Sequence, residues 1–98
     1  MYPTDEFLEE IKKEELPEFH AFMAKIKEQW EFADWGWSQE GNFYRISTGG
    51  WSGNEDIIGA MRSNFVFWSL YWCQSRRGGH YIFAPCKDWI DRDVHKES

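Results

Sequence analysis

The chain has 98 residues, of which 42% are hydrophobic and 19% aromatic, and its formal net charge is −6 at pH 7. This length and composition predict one small globular domain over residues 1–98 and exclude a disordered chain. The acidic balance argues against direct nucleic-acid binding, because phosphate contacts need Lys and Arg, and it is compatible with a basic protein partner.

Two helices are predicted in residues 1–30. The first covers about 4–15 and begins with Thr4, a favoured N-cap residue. The second runs from about Pro17, a residue type that suits the first turn of a helix, to Gln29. Its apolar stripe has helical spacing and consists of Phe19, Phe22, Met23, Ile26 and Trp30. We expect the two helices to form a hairpin that packs on a sheet.

A β-hairpin is predicted next, with strands at 31–37 and 42–48. Aromatic side chains recur in the first strand, but their alternation breaks at Ala33-Asp34, which favours a bulge. The second strand alternates cleanly between two faces, and residues 38–41 have the chemistry of a turn.

A helix over about 53–63 and a second β-hairpin complete the predicted core of 31–86. The segment 65–73 is nearly all apolar, which is typical of a strand covered on both faces. Residues 75–79 turn the chain, residues 80–84 return it as a strand, and Pro85 ends that strand. The residues 87–98 are predicted to be a C-terminal tail.

This order of elements predicts an α+β fold. An N-terminal helical hairpin precedes two β-hairpins separated by a helix, which form a roughly four-stranded antiparallel sheet with helices on one face. The seven Trp and eight Phe residues can exceed what one small core hides. An exposed remainder would mark a surface for a partner or ligand.

The stretch STGGWSGNE admits two interpretations. Ser52 and Glu55 fit a capping box at a helix start, with Gly49, Gly50 and Gly53 as turn residues. The same geometry would leave backbone N–H groups for an anion. The Lys of a phosphate-binding loop is absent, however, and the Glu55 carboxylate would repel an anion.

Trp51 is required by neither interpretation, so it is predicted to be either a lid on the core or an exposed anchor for a partner. A second stretch, SRRGGHY, places Arg76 and Arg77 at a hairpin tip. These arginines are either ordinary solvated charges or a site for a carboxylate or phosphate. If the two stretches meet at one end of the sheet, they form one binding site from Arg45, Trp51, Ser52, Asn54, Arg76, Arg77 and His80.

Catalytic and metal-binding patterns are weak in this chain. Ser52, His80 and Glu55 are residue types of a nucleophilic triad, but the glycines around Ser52 lack the spacing of a nucleophile elbow. We therefore assign no catalytic residue, no metal ligand and no cofactor. Cys73 and Cys86 are expected to be small buried residues without a disulfide. No targeting sequence or membrane span is apparent, so we expect a cytoplasmic protein that does not bind membranes.

The stretches STGGWSGNE and SRRGGHY, with Phe67-Trp68 and Trp72 between them, resemble small hypothetical proteins encoded by bacteriophages and prophages. The resemblance covers about residues 42–84 and implies a genomic setting in a host bacterium, not a mechanism. We therefore expect a non-enzymatic accessory protein that binds a host or phage protein through an aromatic and arginine surface and could inhibit it. Two alternatives stay open. One is a small-ligand or nucleotide-phosphate site at 49–55 and 76–80, which could be catalytic, and the other is a homo-oligomer.

Overall fold

The structure, a computed structural model, describes residues 3–15 and 18–85. Pro17, Cys86 and the predicted tail at 87–98 lie outside these residues. In the described chain the elements are α1 (Asp5–Lys13), α2 (Phe19–Gln29), α3 (Ala33–Gly36), β1 (Trp37–Glu40), β2 (Phe43–Ser47), α4 (Ser52–Ser63), α5 (Phe65–Tyr71), β3 (Trp72–Arg76) and β4 (His80–Phe83).

The four strands form one antiparallel sheet in the order β1-β2-β4-β3. Trp37 at the start of β1 lies opposite Ile46 near the end of β2, and Ser47 lies opposite His80 at the start of β4. His80 in turn lies opposite Arg76 at the end of β3. All four strands therefore share one sheet end, which we call the Thr48 end after the residue that follows β2.

One face of the sheet carries the core. Tyr44 and Ile46 of β2 and Phe83 of β4 are buried against apolar side chains of α1, α2, α4 and α5. The main helical contributors are Ile11, Phe19, Phe22, Met23, Ile26, Ile57, Met61 and Phe67. Arg45, which lies between Tyr44 and Ile46 in β2, is exposed on the other face, as the two-residue period of a strand requires. The predicted α+β fold, with a four-stranded antiparallel sheet, is confirmed.

The N-terminal helices begin at capping side chains. The Thr4 hydroxyl accepts a hydrogen bond from the Phe7 N–H of α1 at 3.1 Å. The Glu18 carboxylate accepts one from the Ala21 N–H of α2 at 2.7 Å. Both predicted helices are confirmed, and α1 and α2 are each somewhat shorter than the predicted segments.

The predicted strand over residues 65–73 is wrong. Helix α5 occupies most of this segment, and strand β3 starts only at Trp72. The helix begins there because the buried side chain of Asn64 caps it, with Oδ1 accepting the Phe67 N–H at 3.0 Å. Apolar residues occupy the exposed side of α5 as well as its buried side, so the sequence shows no helical contrast. The return strand predicted at 80–84 is confirmed as β4.

The first hairpin is predicted correctly in its second strand and wrongly in its first. β2 lies within the predicted 42–48, but the short helix α3 and the later strand β1 replace the predicted strand at 31–37. The break in alternation at Ala33-Asp34 marks the start of α3 and not a bulge. Phe32, just before this helix, has a left-handed backbone with φ of 62°.

Candidate functional site

The two stretches selected from the sequence lie side by side at the Thr48 end of the sheet. The Thr48 N–H donates a hydrogen bond to the Gly79 carbonyl at 2.9 Å. Gly79 has a φ of +78°, and a Cβ atom on it would collide with Oγ1 of Thr48. Glycine is therefore required where segments 49–55 and 76–80 meet.

The capping box predicted from Ser52 and Glu55 is wrong. α4 begins at Ser52 itself, so the N-cap position falls on Trp51, whose indole cannot accept a capping hydrogen bond. The Glu55 N–H donates to the Trp51 carbonyl at 3.1 Å, and the Glu55 carboxylate lies 3.4 Å from the Thr48 hydroxyl. Glu55 is thereby tied to the end of β2 instead of reaching back to the helix start.

Two of the three predicted turn glycines have a backbone that favours glycine. Gly49 and Gly50 have φ values of +64° and +76°, and they reverse the chain between β2 and α4. The prediction for Gly53 is wrong, because this residue is buried in the first turn of α4. A Cβ atom on Gly53 would lie 2.9 Å from Nε1 of Trp51, so its small size lets the indole pack on the helix start.

Three aromatic side chains, Phe32, Trp35 and Trp51, gather beside this turn, and we call them the aromatic cluster. Phe32 stacks on Trp35 with ring centroids 6.3 Å apart and an interplanar angle of 25°. Trp51 meets Phe32 edge-on, at 6.2 Å and 83°. Trp51 is half-buried and lies outside the continuous hydrophobic core. Trp51 therefore bounds one side of the cluster. It neither covers the core nor stands fully exposed as an anchor for a partner.

Phe32 and Trp35 present their rings to solvent. Phe32 is 52% exposed and Trp35 is 64% exposed. Within residues 3–15 and 18–85, Phe32 is also the one residue other than glycine with a positive φ. That conformation costs about 1–2 kcal/mol. Trp35 rests on Gly49, where an added Cβ would lie 2.8 Å from its ring, so two unusual backbone positions hold the exposed rings in place.

Asn54, one of the predicted binding residues, lies beneath the aromatic cluster. Its side chain is buried and donates hydrogen bonds to the Glu31 carbonyl at 2.9 Å and to the Thr48 carbonyl at 3.3 Å. It also accepts the Glu31 N–H at 2.9 Å. These bonds fasten the chain before α3 and the end of β2 to α4. Asn54 therefore positions the cluster and contributes none of its surface.

The predicted basic residues lie on the other side of the turn. The strand register places Arg45, His80 and Arg76 on the sheet face opposite the core, together with Ser47. The Ser47 hydroxyl and Nδ1 of His80 are hydrogen-bonded at 2.6 Å. The three basic side chains are exposed, as is Arg77 in the turn itself.

Charge divides this end of the molecule into two halves. Exposed acidic side chains lie in α3 (Asp34) and at the start of α4 (Glu55 and Asp56). Exposed arginines lie on the sheet face opposite the core and in the 76–80 turn (Arg45, Arg76 and Arg77). The aromatic cluster and the exposed Ser52 belong to the acidic half, and the 76–80 turn belongs to the basic half. The predicted site residues thus form two surfaces of opposite charge that meet where Thr48 bonds to Gly79.

A second exposed apolar surface, which we call the α5 face, consists of Phe65, Val66, Leu70 and Trp72. Phe65 is 80% exposed, more than either exposed ring of the aromatic cluster. The backbone that carries it is a regular helix. Nearby, the guanidinium of Arg62 lies 5.2 Å from the ring centroid of Trp68.

Phe32, Trp35 and Ser47 were not selected from the sequence. The sequence did carry a signal for Phe32 and Trp35, because the aromatic residues around the broken alternation at 31–37 fit neither a strand period nor a helix period. The aromatic excess also predicted exposed rings without saying which ones. Ser47 gave no local signal, because its partner His80 is 33 residues further along the chain.

No protein-family model, curated protein or solved structure matches this chain. None of the helices in the described ranges 3–15 and 18–85 is long and apolar enough to cross a membrane. The protein is therefore classified by its own fold and surface. It is an α+β protein whose four-stranded sheet ends in an aromatic, acidic surface beside a basic one.

Proposed function

We propose that this chain is a non-enzymatic accessory protein of the phage type that binds a host or phage protein through the aromatic cluster. The observation that supports this most is the left-handed backbone of Phe32, which holds an exposed ring stacked on an exposed tryptophan. Backbone strain and apolar surface in water both destabilise the isolated protein. Such an arrangement is expected where the surface is used for binding.

The cluster has the composition of an interface centre. Trp is enriched among the residues that dominate binding free energy, and one aromatic side chain can bury about 150–250 Å². Gly49 and Asn54 already hold the chain around Phe32 and Trp35, so little further ordering is needed when a partner covers the rings. Bound in this way, the protein could inhibit its partner by occupying the partner's own contact surface.

The test is affinity capture from bacterial lysate, quantified by mass spectrometry. The baits are the wild-type chain, a Phe32→Ala/Trp35→Ala double variant and a Phe65→Ala control that removes a still more exposed ring from the α5 face. We expect at least one partner to be depleted by about thirtyfold with the double variant, the effect of about 2 kcal/mol from two central rings. The control should retain it.

Two results would contradict the proposal. One is a set of captured proteins that is the same for all three baits. The other is a partner that depends on Phe65 and not on the cluster, which would move the binding surface to the α5 face. Far-UV circular dichroism of each variant shows whether a lost partner reflects the lost rings or a lost fold.

A second candidate function, binding of a small anionic ligand such as a nucleotide phosphate, is favoured by one observation. The Ser47–His80 pair lies on the same sheet face as Arg45 and Arg76, so a hydroxyl, an imidazole and two guanidinium groups are near neighbours. Arginine forks suit phosphate and carboxylate groups. A hydroxyl that is hydrogen-bonded to an imidazole is also the arrangement in which a general base activates a nucleophile.

A thermal-shift screen with ATP, pyrophosphate and phosphorylated sugars tests this candidate. A ligand that binds the native state at 100 times its Kd stabilises it by about 2.7 kcal/mol. The melting temperature should therefore rise for the wild-type chain and not for Arg76→Ala. A flat response to every ligand would remove the candidate.

A further inference from the structure

The rings of the aromatic cluster are partly open to solvent and are set at an angle to one another. Phe32 and Trp35 are nearly parallel, with planes 25° apart, while Trp51 stands at 83° to Phe32. The exposures of 52% for Phe32 and 64% for Trp35 leave much of their ring surface open. A side chain that docks here meets aromatic faces bounded by a perpendicular indole.

Carboxylates accompany these rings. Asp34 is exposed and directly precedes Trp35 in α3, and Glu55 lies one helical turn after Trp51 with its carboxylate at the Thr48 hydroxyl. Asp56 follows Glu55 in α4 and is also exposed. The surroundings of the rings therefore attract positive charge and repel negative charge.

We infer that the aromatic cluster binds an arginine or lysine side chain presented by a basic segment of the partner protein, an inference that rests on the proposed function. The face of an aromatic ring attracts a cation, most strongly that of Trp, and an arginine plane also stacks on it. The methylene stem of either side chain covers apolar ring surface while its charge approaches Asp34. The basic half of the sheet end, with Arg76 and Arg77, lies outside this contact.

The binding test uses the full chain and a capped nona-arginine peptide, with nona-glutamate and a neutral Gly-Ser peptide of equal length for comparison. Affinity is measured by calorimetry at two salt concentrations, and contact is followed through the Trp35 indole N–H resonance. Trp35→Ala removes a ring and keeps every charge, whereas Asp34→Asn removes a charge and keeps every ring. Trp35→Phe restores a ring, and Phe65→Ala is the matched control on the α5 face.

We expect nona-arginine to bind about fivefold more weakly to Trp35→Ala, as the loss of an exposed cation–π contact predicts. Asp34→Asn should weaken binding about twofold and flatten its salt dependence. Trp35→Phe should fall between wild type and Trp35→Ala, and Phe65→Ala should match wild type. Nona-glutamate should leave the indole resonance in place.

Equal affinity of nona-arginine for wild type and Trp35→Ala would overturn the inference, because binding would then follow net charge alone. A molar mass that doubles with concentration for wild type and not for Trp35→Ala would also overturn it, since a second copy would then cover the cluster. If Trp35→Ala does not fold, the Trp35→Phe and Asp34→Asn affinities and the indole shift decide between these outcomes.

The failures of the two proposals are distinguishable. A lysate partner lost with the cluster variants, together with nona-arginine binding that ignores them, leaves protein binding standing and removes the cationic ligand. Selective nona-arginine binding with no cluster-dependent lysate partner keeps the cation site and contradicts the proposed function.

Discussion

The molecule exposes aromatic side chains in two regions that are built in different ways. The aromatic cluster sits on irregular chain, with a left-handed Phe32 and a positive-φ Gly49 that hold its rings. The α5 face sits on the regular helix α5 and on the first residue of β3, and residues 65–72 contain no acidic side chain. Phe65 of the α5 face is the more exposed ring, yet the cluster is the region whose backbone is strained to present its rings. The two regions therefore differ in the backbone that carries their rings and not only in exposure.

Each region is anchored by a buried asparagine. Asn54 ties the cluster to α4 through main-chain atoms of Glu31 and Thr48. Asn64 caps α5 and donates hydrogen bonds to the carbonyls of Ile11 at 2.9 Å and Glu14 at 3.0 Å. The two anchors are alike in chemistry and lie under different surfaces, so their removal separates the two regions experimentally.

The largest expected effect is the loss of either anchor. Asn54→Ala and Asn64→Ala should each lower the free energy of unfolding by about 2–4 kcal/mol, because each removes the partner of several buried or partly buried main-chain groups. Urea denaturation measures this, with the exposed Gln39→Ala as a control within about 0.5 kcal/mol. In the absence of urea, where the variants are folded, Asn54→Ala should shift the Trp35 indole resonance and Asn64→Ala should not. The same shift in both variants would show that the two regions are coupled.

The next effect separates the two adjacent glycines of the turn. Gly49→Ala should destabilise by about 2 kcal/mol or more, because a positive φ is combined with a clash against Trp35. Gly50→Ala has the same kind of φ with open space around its Cβ, so it should cost about 1 kcal/mol. Thermal unfolding measures both. Equal losses would mean that the Trp35 ring moves aside without cost.

A third comparison concerns how much a glycine substitution changes the free energy of unfolding in each of the two regions. Phe32→Gly relieves the left-handed strain while it removes a ring, so the free energy of unfolding should change by less than about 1 kcal/mol. Leu70→Gly places glycine in regular helix and should destabilise by about 1 kcal/mol. If Phe32→Gly is the more destabilising of the two, ring packing outweighs the strain, and the left-handed backbone of Phe32 then serves stability and not binding.

The smallest effect on stability is expected from the exposed rings themselves. Trp35→Ala and Phe65→Ala should each change the free energy of unfolding by less than about 1 kcal/mol, because neither ring is in the core. Chemical denaturation checks the values. A much larger loss for Trp35→Ala would show that this ring stabilises the turn on which it rests, and would favour a structural role over a binding one.

Sequence periodicity was a good guide wherever one side of an element meets water. Helix α2 and strand β2 could be predicted because apolar and polar residues alternate with the period of each element. Helix α5 could not, since apolar residues on its exposed side hide its period, and its start depends on a cap by Asn64. The predicted capping box was wrong, because the N-cap is Trp51, one residue before Ser52. The Glu55 carboxylate bonds instead to Thr48, a partner that only the folded chain brings near.

The sequence by itself determined the α+β class, the four-stranded antiparallel sheet and the excess of aromatic residues over what a small core holds. These follow from local periodicity, turn chemistry and composition. Only the tertiary structure decided which rings are exposed and what surrounds them. Phe32, Trp35 and Trp51 come together because Asn54 and Gly49 join segments that are separate along the chain. Such contacts depend on the packing of the whole domain, which no local pattern records.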